Sequence, residues 1–516
     1  MILRSRKEIV MKKTLFLLMG LLLASLCMAA AVPEGMVKEF TLANGMHFLV
    51  VERHEFPTVS CIIFFDVGSG DEPRGKTGMA HLLEHLMFKG TRELGVTSWQ
   101  EEKPLFEEAN NATLQWIETY DKVKKQHPYG VFKEDEKVPD SPELKAVEER
   151  IKNILDKERQ YIIKDEYWGT YNRHGGSRQN AFTDTDYTGY FVVLPSNKLE
   201  LWGVMESNRI RDAVFREFYS ERDVVMEEKR LSDESQPDSR ISDLLQTLAF
   251  PAHPYGRPVV GYWDDLRHMR YEDVLKFYTT YYKPNNAVAV VVGDVTLKDV
   301  EAVAKKYFEP LPKGEIPERL WTEEPPMEGQ RTGVVYFDAQ PQISLGYRVP
   351  GVAHADFPAL QLTANILGRG ESSRLHRRLV LKDRIARYTG AWCGAQRDPG
   401  LITINSEPFK DHTLEEVEKA IREEVETLKN TGPTDEELQK VKNRYHANVV
   451  YRLENPTWLA MSLAMSYTYY KDWRHDYQYL DRIDAVTAED IRRVANEYLI
   501  PGNEIKVVLE RKEKVQ

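Results

Sequence analysis

The sequence predicts an α+β protein made of two related modules, each a sheet with helices packed on one face. Three observations predict it. The first is internal similarity: Asp264, Glu272, Asp273, Pro284 and Asn286 recur, at the same gapless spacing, as Asp481, Glu489, Asp490, Pro501 and Asn503. In each copy a helical pattern leads through a proline and an asparagine into an apolar strand, residues 287–292 and 505–509. One long offset points to duplicated modules rather than a solenoid repeat. The second is connectivity: hairpin-joined strands with helices between them favour α+β over a doubly wound parallel sheet. The third is a break at residues 311–332. Pro310-Leu311-Pro312-Lys313-Gly314 and Glu323-Glu324-Pro325-Pro326 interrupt all periodicity there, leaving modules of about 36–310 and 333–512.

Taken in order, Met11-Lys12-Lys13, an apolar run over 15–26 and Ala29-Ala30-Ala31 predict a secretory signal peptide over 1–31, cleaved after Ala31. Residues 1–10 read as an upstream start or a longer basic region. The run falls short of the roughly 20 residues of a spanning helix. Leu26 argues against lipoprotein anchoring at Cys27, because such processing favours a small residue there. The expected location is periplasmic or secreted, with no membrane contact after signal removal. Only Cys61 and Cys393 remain, too few for a disulfide framework, and their apolar settings predict buried thiols. A chain of 516 residues, 42% hydrophobic and 29% charged, is ordinary for a globular protein. Its net charge of −11, without clustered Lys/Arg, excludes a nucleic-acid footprint.

Strand signals at 40–42 and 48–51 flank Asn44-Gly45, a hairpin turn, and 60–65 reads as another strand. A helix over 78–89 follows. Residues 99–176 are dense in Glu and Lys, with helical patterns near 101–124 and 142–163, and read as an inserted excursion. Globular patterning resumes at Asn180.

The chemistry concentrates in the 78–89 helix, where Thr77 is placed to cap the start and Gly90 to end it. It carries His81-Leu82-Leu83-Glu84-His85. Residues three and four apart share a helix face, so His81, Glu84 and His85 point together while Leu82, Leu83 and Leu86 face the core. Two imidazoles one turn apart can reach one zinc ion, and a catalytic site takes three protein ligands plus an open position for water. A carboxylate on the same face can take that water's proton. His-x-x-Glu-His is expected by chance only about 0.03 times in such a chain. A second helix, 219–230, with a possible Ser220–Asp223 capping box, places Glu221 and Glu228 two turns apart on one face. One of them could bind metal and the other support it.

The segment from Gly78 through His81, Glu84 and His85 to Phe88-Lys89-Gly90-Thr91 resembles the inverted zinc motif of the insulinase/pitrilysin family, of the two-domain type similar to mitochondrial processing peptidase subunits. Further segments resemble it too: Gly175-Gly176 with Asn180-Ala181-Phe182-Thr183, Glu221-Arg222 through Glu228, His253-Pro254-Tyr255-Gly256 with Gly261, and Tyr282, Pro284 and Asn286 leading to Gly293-Asp294. The resemblance implies His81, His85 and Glu228 as ligands of one Zn2+ per chain. It implies Glu84 as the catalytic base activating zinc-bound water, and Glu221 as an auxiliary catalytic glutamate. Asn180, Ala181, Phe182 and Thr183 become a strand edge that pairs with extended substrate, where main-chain bonds give affinity with little sequence preference. The implied activity is endopeptidase hydrolysis of peptides or unfolded segments, and the implied architecture is half of a clamshell chamber, closed by a homodimer or heterodimer.

Two departures stand out. His85 and Glu228 are separated by more chain than the family pattern has, by about the length of the excursion. An Arg and a Tyr seven residues apart in the non-metal repeat help hold substrate in the family. Here Tyr388 fits, but Leu381 stands at the Arg position, and Lys382, Arg384 and Arg387 do not replace it in spacing. That favours a heterodimer. Two other readings stay open on sequence: a non-catalytic or weakly catalytic subunit, and a peptide-binding protein with structural zinc.

Overall fold

The computed structural model describes residues 34–125, 141–319 and 322–511. The signal peptide over 1–31, Cys27 and the loop punctuation around His127 lie outside the described residues.

The first sheet holds β1 (Val37–Thr41), β2 (His47–Glu52), β3 (Thr58–Phe65), β4 (Ser177–Thr183), β5 (Thr188–Pro195) and β6 (Ala287–Gly293), in the order β1-β2-β6-β3-β5-β4. The second holds β7 (Arg331–Phe337), β8 (Gln342–Val349), β9 (Ala386–Cys393), β10 (Gly400–Pro408) and β11 (Glu504–Arg511), in the order β7-β11-β8-β10-β9. β2 and β6 run parallel, as do β7 and β11, and the remaining pairings are antiparallel. Strands β2-β6-β3-β5-β4 therefore repeat as β7-β11-β8-β10-β9 in order and direction. β1 is an extra strand, joined through Asn44-Gly45, with Gly45 at φ 90°.

Helices cover both faces of each sheet, not one face as the sequence suggested. One face of the first sheet packs on helices of its own module, including Met79–Leu86, Leu199–Asp212 and Tyr271–Tyr281. On the other face Leu49, Ile62, Phe64, Val290 and Val292 meet Leu459, Ala460 and Leu463 of the helix Pro456–Tyr470, which belongs to the second module. The second sheet is treated reciprocally: Ile505, Val507 and Leu509 pack on Ile241, Leu245 and Ala249 of Pro237–Ala249, from the first. The physical reason is in the strands. β6 is buried at every one of its 7 positions, the uninterrupted apolar run of a strand covered on both sides.

The excursion forms helices Trp99–Lys125, Pro142–Glu158 and Glu166–Arg173. The second stops short of the expected 163 because the chain turns back to close a neck. Val96 and Ile162 form an antiparallel bridge, Thr97 N donates to Tyr161 O at 2.8 Å, and Ile163 N to Gly95 O at 3.0 Å. The excursion is anchored to the body of the module. Glu102 and Arg216 form a fully buried ion pair at 2.6 Å, and Asp121 meets His268 at 2.8 Å. Cys61 is buried as expected; Cys393 is partly buried.

Candidate metal centre

The helix Met79–Leu86 buries Met79, Ala80, Leu82, Leu83 and Leu86 and leaves His81, Glu84 and His85 on the opposite face. Thr77 does not cap it. The N-cap is Gly78 at φ 85°, where an added Cβ would lie 2.3 Å from the Val260 carbonyl oxygen. The cap comes from Glu72, whose carboxylate accepts from Gly78 N at 3.0 Å and Ala80 N at 2.7 Å. Burial pushes the Glu72 carboxyl up to about 8 against the pull of those two N–H groups. Thr77 instead donates through Oγ1 to Asp265 at 2.7 Å. The helix ends before Gly90, which sits at φ 93°.

The second helix runs Phe218–Ser235. It begins earlier than expected because Phe218 and Tyr219 are buried in its first turn. The Ser220–Asp223 box therefore does not form, and Glu217 at φ 53° is the N-cap, without a side-chain bond.

These two helices bring His81, His85 and Glu228 together, with one donor atom from each lying within 4.8 Å of the others. Glu228 Oε2 is 3.6 Å from His85 Nε2 and 4.0 Å from His81 Nε2. Glu221 stands behind His85, its Oε2 3.6 Å from Nδ1, and its other oxygen pairs with Lys89. That places Glu221 where a carboxylate orients a ligating imidazole. Glu84 accepts from Thr183 Oγ1 at 2.7 Å, which ties the motif helix to the edge strand β4.

Burial, with His85 nearby, pushes His81 down to about 4, so its imidazole is neutral and free to donate a lone pair. Burial also opposes charge on His85, but the Glu221 hydrogen bond and the carboxylates of Glu228 and Glu84 outweigh it and raise its pKa. Burial would raise Glu221 as well; the bonds from His85 and Lys89 prevail and lower it. Glu84 is raised by burial, against the Thr183 bond. A dication among these groups inverts that balance, favouring neutral His85 and ionised Glu84. Two imidazole nitrogens and one carboxylate, with no fourth protein donor grouped with them among the described residues, match the donor set of an open zinc site.

Asn180, Ala181, Phe182 and Thr183 lie on β4, the outermost strand of the first sheet. A bulge between Ser177 and Asn180 breaks the register, with Arg178 at φ 51°. Asn180 shares a cavity with Glu84 and His85; Phe182 packs edge-on against Phe64. Tyr388 is not brought to this cavity. It is 53% exposed on β9 and lines a separate hollow with Arg387, Trp392 and the helix Pro237–Ala249, and Arg387 is paired with Glu407. Glu72, Lys89 and the bond from Thr183 to Glu84 escaped sequence reasoning. Only Lys89, one turn beyond His85, carried a local signal.

Comparison with known proteins fits this geometry. Residues 48–113 match the family model described as insulinase (peptidase family M16), and residues 268–445 match the model described as the peptidase M16 inactive domain. The second stretch contains none of the clustered residues. Zinc protease PqqE of Helicobacter pylori is 29% identical over 470 residues, covering 89% of this chain and 89% of that one. The beta subunit of the mitochondrial-processing peptidase of Lentinula edodes is 23% identical, covering 89% of this chain and 86% of that one. Among solved structures, a protease from Helicobacter pylori superposes with a TM-score of 0.75 at 27% identity, over 92% of this chain and 99% of that one. The periplasmic protease PqqL of Escherichia coli shares the fold, with a TM-score of 0.68 at 19% identity over 94% of this chain and 48% of that one. Two stretches of the chain thus match models of the insulinase family of peptidases, M16, and its fold is that of M16-like peptidases.

Proposed function

We propose that the protein is a zinc-dependent endopeptidase acting on extended peptides or unfolded segments, with His81, His85 and Glu228 holding the metal. The observation that carries this reading is the convergence of the three donor atoms within 4.8 Å beside Glu84, which is itself bonded to the free edge strand at 2.7 Å. When bound, zinc supplies Lewis-acid chemistry, lowering the pKa of a water to near 7 and polarising a carbonyl.

The chain's own residues do the rest. β4 offers unpaired backbone groups to an extended substrate, as an added strand would use them. Thr183 occupies Oε2 of Glu84 and fixes its carboxylate. Oε1 is left to take a proton from the attacking water and pass it to the leaving amine. Glu221 holds the His85 ring from behind, and Lys89 pairs with Glu221.

The working particle is a dimer, homo- or heterodimeric. A relative of similar length is named as a subunit, and this chain spans about half of the longer Escherichia coli protein. The signal-like leader and the periplasmic location of that protein support a periplasmic site of action.

The test is cleavage of quenched fluorescent peptides by the purified chain, with and without 1,10-phenanthroline, alongside Glu84→Gln. Chelator-sensitive cleavage, abolished in a Glu84→Gln protein that keeps its zinc, supports the reading. Absence of bound zinc at neutral pH overturns it.

A further inference from the structure

A cavity of about 340 Å³ lies between the excursion and the helix Phe218–Ser235, a size typical of small-molecule sites. Its walls come from the helices Trp99–Lys125, Pro142–Glu158 and Phe218–Ser235. On the last of these, Tyr219, Arg222 and Met226 are spaced three and four apart and share one face. Glu221 and Glu228, turned toward the histidines, occupy another. The cavity is therefore distinct from the metal centre, and none of the three clustered donors lines it.

The gap follows from how the excursion packs. Its two long helices bury Ala109, Ala112 and Ile154 against each other, with Ile151 and Leu155 alongside. That cluster is separate from the main core of the module, to which Tyr219 and Met226 belong. The two apolar surfaces face each other without closing, so the lining is mainly apolar: Trp116, Ile151, Leu155 and Met226.

The charges in the lining are unequally engaged. Arg222 is only 5% exposed, with its guanidinium carbon 5.2 Å from the Tyr219 ring centre and 5.7 Å from that of Trp116. Its Nη1 donates to the Arg267 carbonyl at 3.0 Å. Its only carboxylate neighbour is Asp223, 3.4 Å away and itself 69% exposed. The Nε of Arg222 and the hydroxyl of Tyr219 are buried without a hydrogen-bond partner among the described residues. Arg159 and Arg267 pair with Asp156 and Asp264, outside the lining. Lys152 is exposed and forms no ion pair with a described residue. Of the two lining carboxylates, Glu148 accepts from Trp116 Nε1 at 3.0 Å, and Asp223 faces Arg222. Cations thus outnumber carboxylates around an apolar interior. A neutral apolar occupant would leave Arg222 and Lys152 unmatched, and a cation would be repelled by them. A carboxylate on an apolar body covers the walls and gains charge-assisted hydrogen bonds at its head.

We infer that this cavity binds a small carboxylate with a medium-length apolar body, its head at Arg222 and Lys152 and its body between Leu155 and Met226. Two sources carry that chemistry, a free alkyl carboxylate and the C-terminal residue of a short peptide. The site stands apart from the peptidase reading, because no residue assigned to hydrolysis lines it.

The test is calorimetric titration of the zinc-loaded full chain with decanoate, decanamide and decylamine, and with N-acetyl-Ala-Ala-Leu as free acid and as amide. Leu155→Trp fills the cavity from the excursion side, Lys152→Glu reverses a charge on an exposed position, and Arg222→Met removes the buried cation. Decanoate should bind more tightly than its amide and its amine by about tenfold or more, the worth of one hydrogen bond to a charged group. Leu155→Trp should abolish that binding and Lys152→Glu should weaken it by about threefold, with zinc content unchanged in both. Should Arg222→Met fail to fold, these two variants still decide. Tighter binding of the peptide acid than of decanoate, lost in Leu155→Trp, supports the site and assigns it to a peptide terminus; the opposite order assigns it to a free alkyl carboxylate. Equal binding of acid, amide and amine overturns the inference, as does binding that Leu155→Trp leaves intact, or no binding of either acid at millimolar concentration. None of these results bears on whether the chain cleaves peptides.

Discussion

Thr183 offers the sharpest test of how the site is built. Its hydroxyl donates to Glu84 Oε2 at 2.7 Å across the gap between β4 and the motif helix. Thr183→Val removes the donor and keeps the shape. A hydrogen bond to a charged acceptor contributes about 1.5–3 kcal/mol. If that energy serves to hold Glu84 for proton transfer, kcat/KM falls by about 10-fold to 150-fold, at 1.36 kcal/mol for each factor of ten. The valine fills the same space beside Phe182 and Thr188, so the fold and the metal cluster are undisturbed. The assay is hydrolysis of a fluorogenic peptide at saturating zinc, with metal content and thermal melting measured in parallel. An unchanged kcat/KM at full zinc occupancy would refute a positioning role for Thr183. A loss of zinc along with activity would refute it differently, showing that the bond serves the metal cluster and not the base.

Other outcomes follow from the same contacts. Glu84→Gln should retain zinc and lose activity by about 10²- to 10⁴-fold, the usual contribution of a general base, whereas Glu228→Gln should lose zinc itself, read as metal per chain after dialysis. Gly78→Ala sets a Cβ 2.3 Å from the Val260 oxygen at φ +85°. It should cost about 2–3 kcal/mol in urea unfolding and weaken zinc retention by shifting the helix start. Glu158 is 1% exposed, and burial, aided by Glu102 and Glu217, pushes its carboxyl to about 7. Its folded pKa thus exceeds its unfolded value, so the stability it contributes is whole below about pH 4 and is lost as pH rises through 7. The melting temperature should fall from about pH 5.5 to pH 8, with a flatter slope in Glu158→Gln.

Much of this was legible because the signals are local. His81, Glu84 and His85 converge through helix periodicity alone, the Asn44-Gly45 hairpin is a two-residue code, and the repeat from Asp264 to Asn286 mapped onto matching strands. What stayed hidden depends on contacts between distant segments. Glu72 caps the motif helix from across a turn, so no cap residue stands where Thr77 suggested one. The helices Pro237–Ala249 and Pro456–Tyr470 each cover the other module's sheet, an exchange that no window of sequence contains. Its one trace was the unbroken apolar run at 287–292, which signalled burial on both faces without naming the cover. The end of the second excursion helix was misplaced for the same reason, since the pairing of Ile162 with Val96 outweighs helical propensity there. Tyr388, carried over by spacing, lies in a different cavity from Glu84 and His85.

The two copies also explain why the excursion can reshape one side of the site and leave the rest alone. In the second copy the helix after the equivalent strand, Phe357–Gly368, is buried over most of its length, and its Gln361 accepts from Tyr445 and from Tyr479. That face is closed by the core. In the first copy the corresponding face stays open to a cavity. Between that helix and the edge strand the second copy has only a short helical segment, His376–Lys382; the first copy has the excursion. Long insertions cost little loop entropy when their ends meet, and here they meet at 95–97 and 161–163, so β4 keeps its place beside Glu84. The ligand geometry depends on the two helices and the sheet edge, while one wall of the cavity depends on the chain returning from the neck. Because these determinants sit on different segments, substitutions at Ile162 or Ile163 should leave zinc affinity unchanged, whereas substitutions at Glu221, which stands behind His85, or at Lys89, which pairs with Glu221, should weaken it.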